Sequence, residues 1–340
     1  MKSLFSISRV VFLMIASIFI VFATANAADT QADVGTSSAG YPRRAIRLIV
    51  PYAAHSDTDL YARNLASSVK QYLDHQTILV ENQPGDAGIT GSMAVRNAPA
   101  DGYTLLIGRL GTHALQPALD PRTPYRWYDF SVLAILEFDP LICVVDGDSP
   151  YRNARELLSA IRKQPGTLKY GAAGVNTLQN VATQYLLSLA GAKPDAAEQV
   201  NLTNSLEVTQ SLLNGRIHFA CNLPATMMPH IKAGKLLGLF TTSPARLADL
   251  PGVPTAHEVG LQDMERMKSW AALMAPLHLP EAVIQRWQEA LGKLAKDPAW
   301  LAGNARLGGV PAIKFISNPT EFVKEQYEFF DQFISLLGIR

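Results

Sequence analysis

The sequence predicts an α/β protein with a parallel sheet, folded as two lobes. Three observations carry this. A buried-strand run, Ile46 to Tyr52, is followed by a polar break, a helical pattern and a second strand, Thr77 to Asn82. That order is a right-handed βαβ unit, which needs a parallel sheet. A second series of helices and strands begins after Val145. Once the first residues are set aside, about 300 remain, a size that favours two lobes over one core.

The polar break is Ala53 to Asp59, and the helical pattern is Leu60 to Leu73. A glycine-spaced loop, Gln83 to Gly91, and the run Pro99 to Gly108 follow. In a parallel sheet the turns leaving the strand C-termini form the ligand crevice. The residues after Pro51 and after Ile107 are therefore the first candidates for a site. Leu133 to Val145 reads as one extended stretch, broken at Asp139-Pro140. Tyr151 to Gln164 has Leu157, Leu158 and Ile161 at helical spacing. Leu168 to Gly171 is a short strand, and Asn176 to Gly191 is a helix stopped by its glycine. Ser205 to Gly215 is a helix with Asn204 as N-cap. Ile217 to Asn222 is a strand, Met228 to Gly234 a helical turn, and Leu236 to Thr242 a buried strand. A linker with Pro251 and Pro254 leads to a strand at Trp270 to Leu277. A helix at Pro280 to Ala295, begun by its proline, and an amphipathic helix at Asn318 to Leu337 close the chain.

The first residues read as an address. Lys2 and Arg9 precede the uncharged apolar run Val10 to Phe22, and Ala25-Asn26-Ala27 is a small-x-small cleavage site. This is a secretory signal peptide, residues 1–27, because the run is shorter than the ~20 residues a membrane span needs. Residues 28–40 are rich in Ala, Ser, Gly and Thr and read as a disordered linker. Lys2 and Arg9 are two of the 30 basic residues, so the exported chain sets 28 against 29 acidic ones, net −1. That balance excludes binding to nucleic acid or an anionic membrane surface. Cys143 and Cys221 lie in apolar strand-like runs and read as buried free thiols, with a disulfide as the alternative that export permits.

Enzyme signatures are missing. The chain has no G-x-S-x-G elbow, no H-E-x-x-H and no Cys-x-x-Cys, and its seven histidines lack ligand spacing. Gly85, Gly88 and Gly91 form neither a dinucleotide loop nor a P-loop and read as a turn plus helix start. No catalytic residue, metal or cofactor is expected. Helix N-termini at strand ends are instead what a reversible anion binder needs.

Motifs in a fixed order add a resemblance. Ile46 to Pro51 with Asp59, Val80 to Asn82 with Pro84, Gly85 and Gly88, Asp101 to Leu106, Gly111 to His113, Pro229 to Leu236 and Leu250 to Leu261 resemble the substrate-binding proteins of tripartite tricarboxylate transporters, the Bug family. The resemblance implies a two-lobe periplasmic binding protein fold, class II-like, with two crossovers, near Leu141 to Val145 and near Gln262 to Trp270. One lobe would hold residues 41–141 plus 263–340, the other 142–262. It also implies a monomeric periplasmic receptor that captures a small organic acid for membrane transporter subunits, the alternative partner being a sensor kinase.

The expected ligand-binding residues are Tyr52, His55, Ser56, Thr58, Asp59, Arg109, Thr112, Ala173, Asn176, Thr177 and Asn222. Each follows a strand or starts a helix. His55 and Ser56 stand where the family has two glycines, so the first turn approaches an anion less closely. Arg109 stands where the family favours a small or polar residue, and its guanidinium would take over as a bidentate carboxylate anchor.

Overall fold

The structure, a computed structural model, describes residues 40–174, 177–313 and 317–337. The expected signal peptide, all but the last residue of the expected linker, and Asn176 lie outside the described residues.

The chain opens with β1 (Ile46–Val50), whose apolar run is buried on both faces of the sheet. The helix α1 (Asp57–Val69) begins three residues earlier than its apolar pattern, because Ser56 Oγ accepts from Asp59 N–H at 3.3 Å and caps it. Next come β2 (Ile78–Asn82), α2 (Ile89–Arg96) and β3 (Thr104–Arg109), the last buried throughout. A π-type turn at Gly111–Leu115 leads into the short α3 (Gln116–Leu119). The extended stretch at Asp139-Pro140 is two strands, β4 (Phe130–Pro140) and β5 (Ile142–Asp146).

The second series is α4 (Ala154–Lys163), β6 (Lys169–Ala172), α5 (Leu178–Leu189), β7 (Glu198–Asn201), α6 (Ser205–Leu213), β8 (Phe219–Asn222), α7 (Pro224–Lys232) and β9 (Leu236–Thr241). Asn204 caps α6 as expected, its side chain accepting from Glu207 N–H at 2.9 Å. The chain then supplies β10 (Lys268–Pro276), α8 (Glu281–Leu294), α9 (Pro298–Leu307), β11 (Val310–Pro311) and α10 (Pro319–Leu337).

Among the described residues these strands form two sheets. The first runs β11-β4-β10-β3-β1-β2, with β1, β2 and β3 parallel and the others antiparallel. The second runs β7-β6-β8-β5-β9, parallel at β6 and antiparallel around β5. The chain changes sheet at Leu141 and returns between Thr241 and Lys268. The crossings are tied together: Leu141 N–H donates to Thr242 Oγ1 at 2.8 Å, and Thr242 N–H donates to Leu141 O at 2.9 Å.

Three differences from the sequence expectations have local causes. The helix α9 is not marked by apolar periodicity; it is nucleated by Asp297, whose carboxylate accepts from Ala299 and Trp300 N–H before Pro298 sets the first turn. α7 is a nine-residue helix rather than a turn, starting on Pro224 and carrying Pro229 inside. Cys143 and Cys221 are bonded to each other rather than free, because β5 and β8 pair antiparallel with these two residues directly opposite.

Candidate functional site, a cleft between two sheets

The turns at the strand ends of both sheets face a cleft of about 810 Å³, well inside the usual range for a small-molecule site. From the first sheet it is lined by Tyr52, the turn His55 to Thr58, Ala87, Arg109 to Gly111, Leu115, Gln116 and Ser269. From the second it is lined by Ala173, Thr177 to Gln179, Thr203 to Leu206, Leu223 and Thr226.

Among the described residues, four helices that start from an extended N-cap bring their first turns to this cleft. Asp57 and Thr58 start α1, Leu178 and Gln179 start α5, Ser205 and Leu206 start α6, and Thr226 lies in the first turn of α7. The first N–H groups of a helix lack intrahelical acceptors and carry the positive end of its dipole. Their convergence makes the cleft a place for an anion.

Seven of the expected residues line the cleft: Tyr52, His55, Ser56, Thr58, Arg109, Ala173 and Thr177. Three others stand behind it. Asp59 is fully buried, with one oxygen accepting from His55 N–H (2.9 Å) and Arg63 Nε (3.0 Å) and the other from Asn82 Nδ2 (3.0 Å). Burial raises its pKa, but these hydrogen bonds outweigh that and hold it below the usual carboxylate range. Asp59 thus fixes the turn, including His55 at φ 65°, a backbone region where glycine is at home. Thr112 is buried because its hydroxyl is used on the Arg109 backbone and on His113 Nδ1, the latter at 2.6 Å. Asn222 is buried under the second lobe's rim. Its Oδ1 accepts from Gln179 (3.3 Å) and Ser205 (3.0 Å), the side chains that do reach the cleft.

Arg109 departs furthest from expectation. It borders the cleft but is only 6% exposed, and its terminal nitrogens are already engaged. Nη1 donates to Glu137 at 3.2 Å, and Nη2 donates to Asp139 at 2.5 Å and to Ser269 at 3.4 Å. The bidentate grip expected for a ligand carboxylate is taken by the chain's own carboxylates. Glu137 and Asp139 were missed in the sequence, although one signal was legible: two acids spaced i, i+2 in an apolar strand share one face and need a partner there. Burial first, then Asp139, pushes the Glu137 carboxyl well above its ordinary pKa, with Arg109 opposing. Asp57, part of the polar break but not among the expected ligand-binding residues, lies in the cleft itself. Desolvation raises its pKa, Arg109 lowers it and Asp139 raises it.

The sequence model of the tripartite tricarboxylate transporter family receptor matches residues 61–334. The chain belongs to this receptor family. A relative from the TAR-I ttuE-ttuC' intergenic region of Agrobacterium vitis is 31% identical over 287 residues, 84% of this chain and 81% of the relative. BugT of Bordetella pertussis is 27% identical over 319 residues, 93% of this chain and 94% of BugT. Among solved structures, the periplasmic binding protein BugD superposes with a TM-score of 0.71 at 26% identity, covering 88% of this chain and 99% of BugD. MatC from Rhodopseudomonas palustris, solved with bound malate, gives a TM-score of 0.71 at 25% identity, covering 86% of this chain and all of MatC. The fold is the two-lobe fold of these periplasmic binding proteins, and the receptor family is one of solute binding rather than of catalysis.

Proposed function

We propose that this chain is the extracytoplasmic receptor of a tripartite tricarboxylate-type transporter, working as a monomer that captures a small organic acid between residues 41–141 plus 263–340 and residues 142–262. The observation that carries this reading is the convergence of helix first turns from both sides on one cleft. A carboxylate placed there meets backbone donors without needing a buried cation. MatC's bound malate is an acid of a size this cleft admits.

Capture needs the two sides to close over the ligand. The Leu141–Thr242 hydrogen bonds tie the two crossings, so the hinge of the proposed motion is a pair of single-strand passages that rotate as a unit. Closure shuts water out and makes the surface that the membrane subunits would bind. The Cys143–Cys221 bond supports a periplasmic site of action, since such bonds persist in oxidising compartments. The signal-peptide pattern expected for residues 1–27 agrees with that location.

The test is native mass spectrometry of gently purified protein, followed by calorimetric titration with the acid identified. The expected result is a small carboxylate released with its mass unchanged. Because a ligand at 100 times its Kd adds about 2.7 kcal/mol of stability, a thermal-shift screen of organic acids gives a second reading. A product of altered mass, or no stabilisation by any organic acid, would overturn the proposal.

A further inference from the structure

The two ends of the cleft differ in charge. Its second-sheet side is lined by Thr177, Gln179, Asn204, Ser205 and Thr226, and no acid or base stands among the described lining residues there. Those groups and the first turns of α5, α6 and α7 offer hydrogen-bond donors to an anion. The first-sheet side is different. Asp57 holds the first position of α1, so a carboxylate of the chain already occupies the neighbourhood of that helix N-terminus. Arg109, the only Lys or Arg among the described lining residues, spends both terminal nitrogens on Glu137 and Asp139. A water-sized void of about 10 Å³ is bounded by Asp57, Tyr61, Arg109 and Asp139 on one side and Leu223 to Ala225 on the other. Asp139 borders only this void, with both oxygens engaged by Tyr61 and Arg109, whereas Asp57 lines the cleft as well.

We propose that the ligand carries a carboxylate at one end and a hydrogen-bond donor, an ammonium or an amide N–H, at the other, and that Asp57 selects for the donor end. The proposal rests on the organic-acid receptor reading above and narrows it. The carboxylate lies against the first turns of α5 and α6, and the donor end lies against Asp57. A second carboxylate at that end would face Asp57 with the nearest guanidinium already committed, and like charges at close range disfavour it. An ammonium or amide gains an acceptor in the same place. Asp57 is the right residue to vary because it keeps more than a third of its surface open, so its carboxylate is not part of the core.

The experiment titrates the purified mature chain with succinate, glutarate and adipate, each against its ω-amino and its monoamide counterpart, on wild type and on Asp57→Asn. At the best-fitting length, the amino or amide acid should bind at least about tenfold more tightly than the diacid, a gap of about 1.4 kcal/mol. Asp57→Asn should weaken the amino acid by a similar factor and strengthen the diacid. Diacids binding ahead of both counterparts at every length, or an Asp57→Asn variant that leaves the order unchanged, would overturn the inference while leaving the receptor reading in place. If none of these acids binds, this inference falls, while the receptor reading is still decided by the wider organic-acid screen.

Discussion

Arg109 and Glu137 flank Ala271 in register across three neighbouring strands, and their side chains meet at 3.2 Å. Two strand spacings of about 4.8 Å are within an arginine's reach. Asp139, paired with Ser269 on the same sheet, closes the cluster.

Removing Arg109 should therefore be read first as a stability change. Arg109→Ala leaves Glu137 and Asp139 buried without their cation, and breaking such a pair costs about 3–5 kcal/mol. Combining it with Glu137→Ala and Asp139→Asn should recover more than half of that loss, since no unpaired charge remains. Urea unfolding of the three proteins measures both. A single variant within about 0.5 kcal/mol of wild type would mean that the cluster relaxes into solvent.

The bond between Cys143 and Cys221 closes a loop spanning 78 positions of sequence. By chain entropy a loop of that length stabilises by about 2–5 kcal/mol. The double variant Cys143→Ala/Cys221→Ala should melt clearly below wild type, and a reducing agent should lower the wild-type Tm toward it. Equal melting temperatures with and without reductant would show the cysteines to be unbonded.

His113 is buried against Tyr125 and Phe130, and its Nε2 has no hydrogen-bond partner. Burial pushes its pKa down to about 3. The unfolded chain takes up this proton near its ordinary value of about 6.5, so between the two values the unfolded state binds more protons. The stability that His113 allows is complete above about 6.5 and falls as the pH drops toward 3. At pH 5 the loss is up to about 2 kcal/mol. Glu137, shifted the other way, is present in both proteins and cancels in the comparison. His113→Phe should flatten the fall of Tm between pH 7.5 and 5. An unchanged slope would mean that His113 gains access to water before unfolding.

Gly91 sits where α2 crosses the end of β1. A Cβ there would lie 2.8 Å from Gln83 O and 2.9 Å from Pro51 Cα, both backbone atoms that cannot turn aside. Gly91→Ala should cost about 1–3 kcal/mol by overpacking and shift the Pro51 to Ser56 turn at the cleft. Denaturant unfolding together with ligand titration tests this. A loss of affinity without a loss of stability would place the strain in the turn alone.

The sequence by itself determined the elements that depend on local chemistry. Strands appeared as apolar runs because central strands are buried on both faces, and the start of α6 could be placed to the residue because Asn204 is a short side chain that caps its own helix. It also determined the cleft's general address, since strand C-terminal turns converge in any sheet of this kind, and the order of its motifs pointed to the family before any coordinates. The tertiary structure decided what depends on partners far apart in sequence. Arg109 reads as an anchor until β4 is laid two strands away and supplies Glu137 and Asp139, 28 and 30 positions later. Cys143 reads as a buried thiol until β8 sets Cys221 opposite it. Asn222 follows a strand as a site residue should, yet its amide is consumed by Gln179 and Ser205. Side-chain type and local pattern state what a group can do; only packing states which neighbour uses up its charge or its hydrogen bonds, because those energies fall off within a few ångströms and the neighbours are set by the fold.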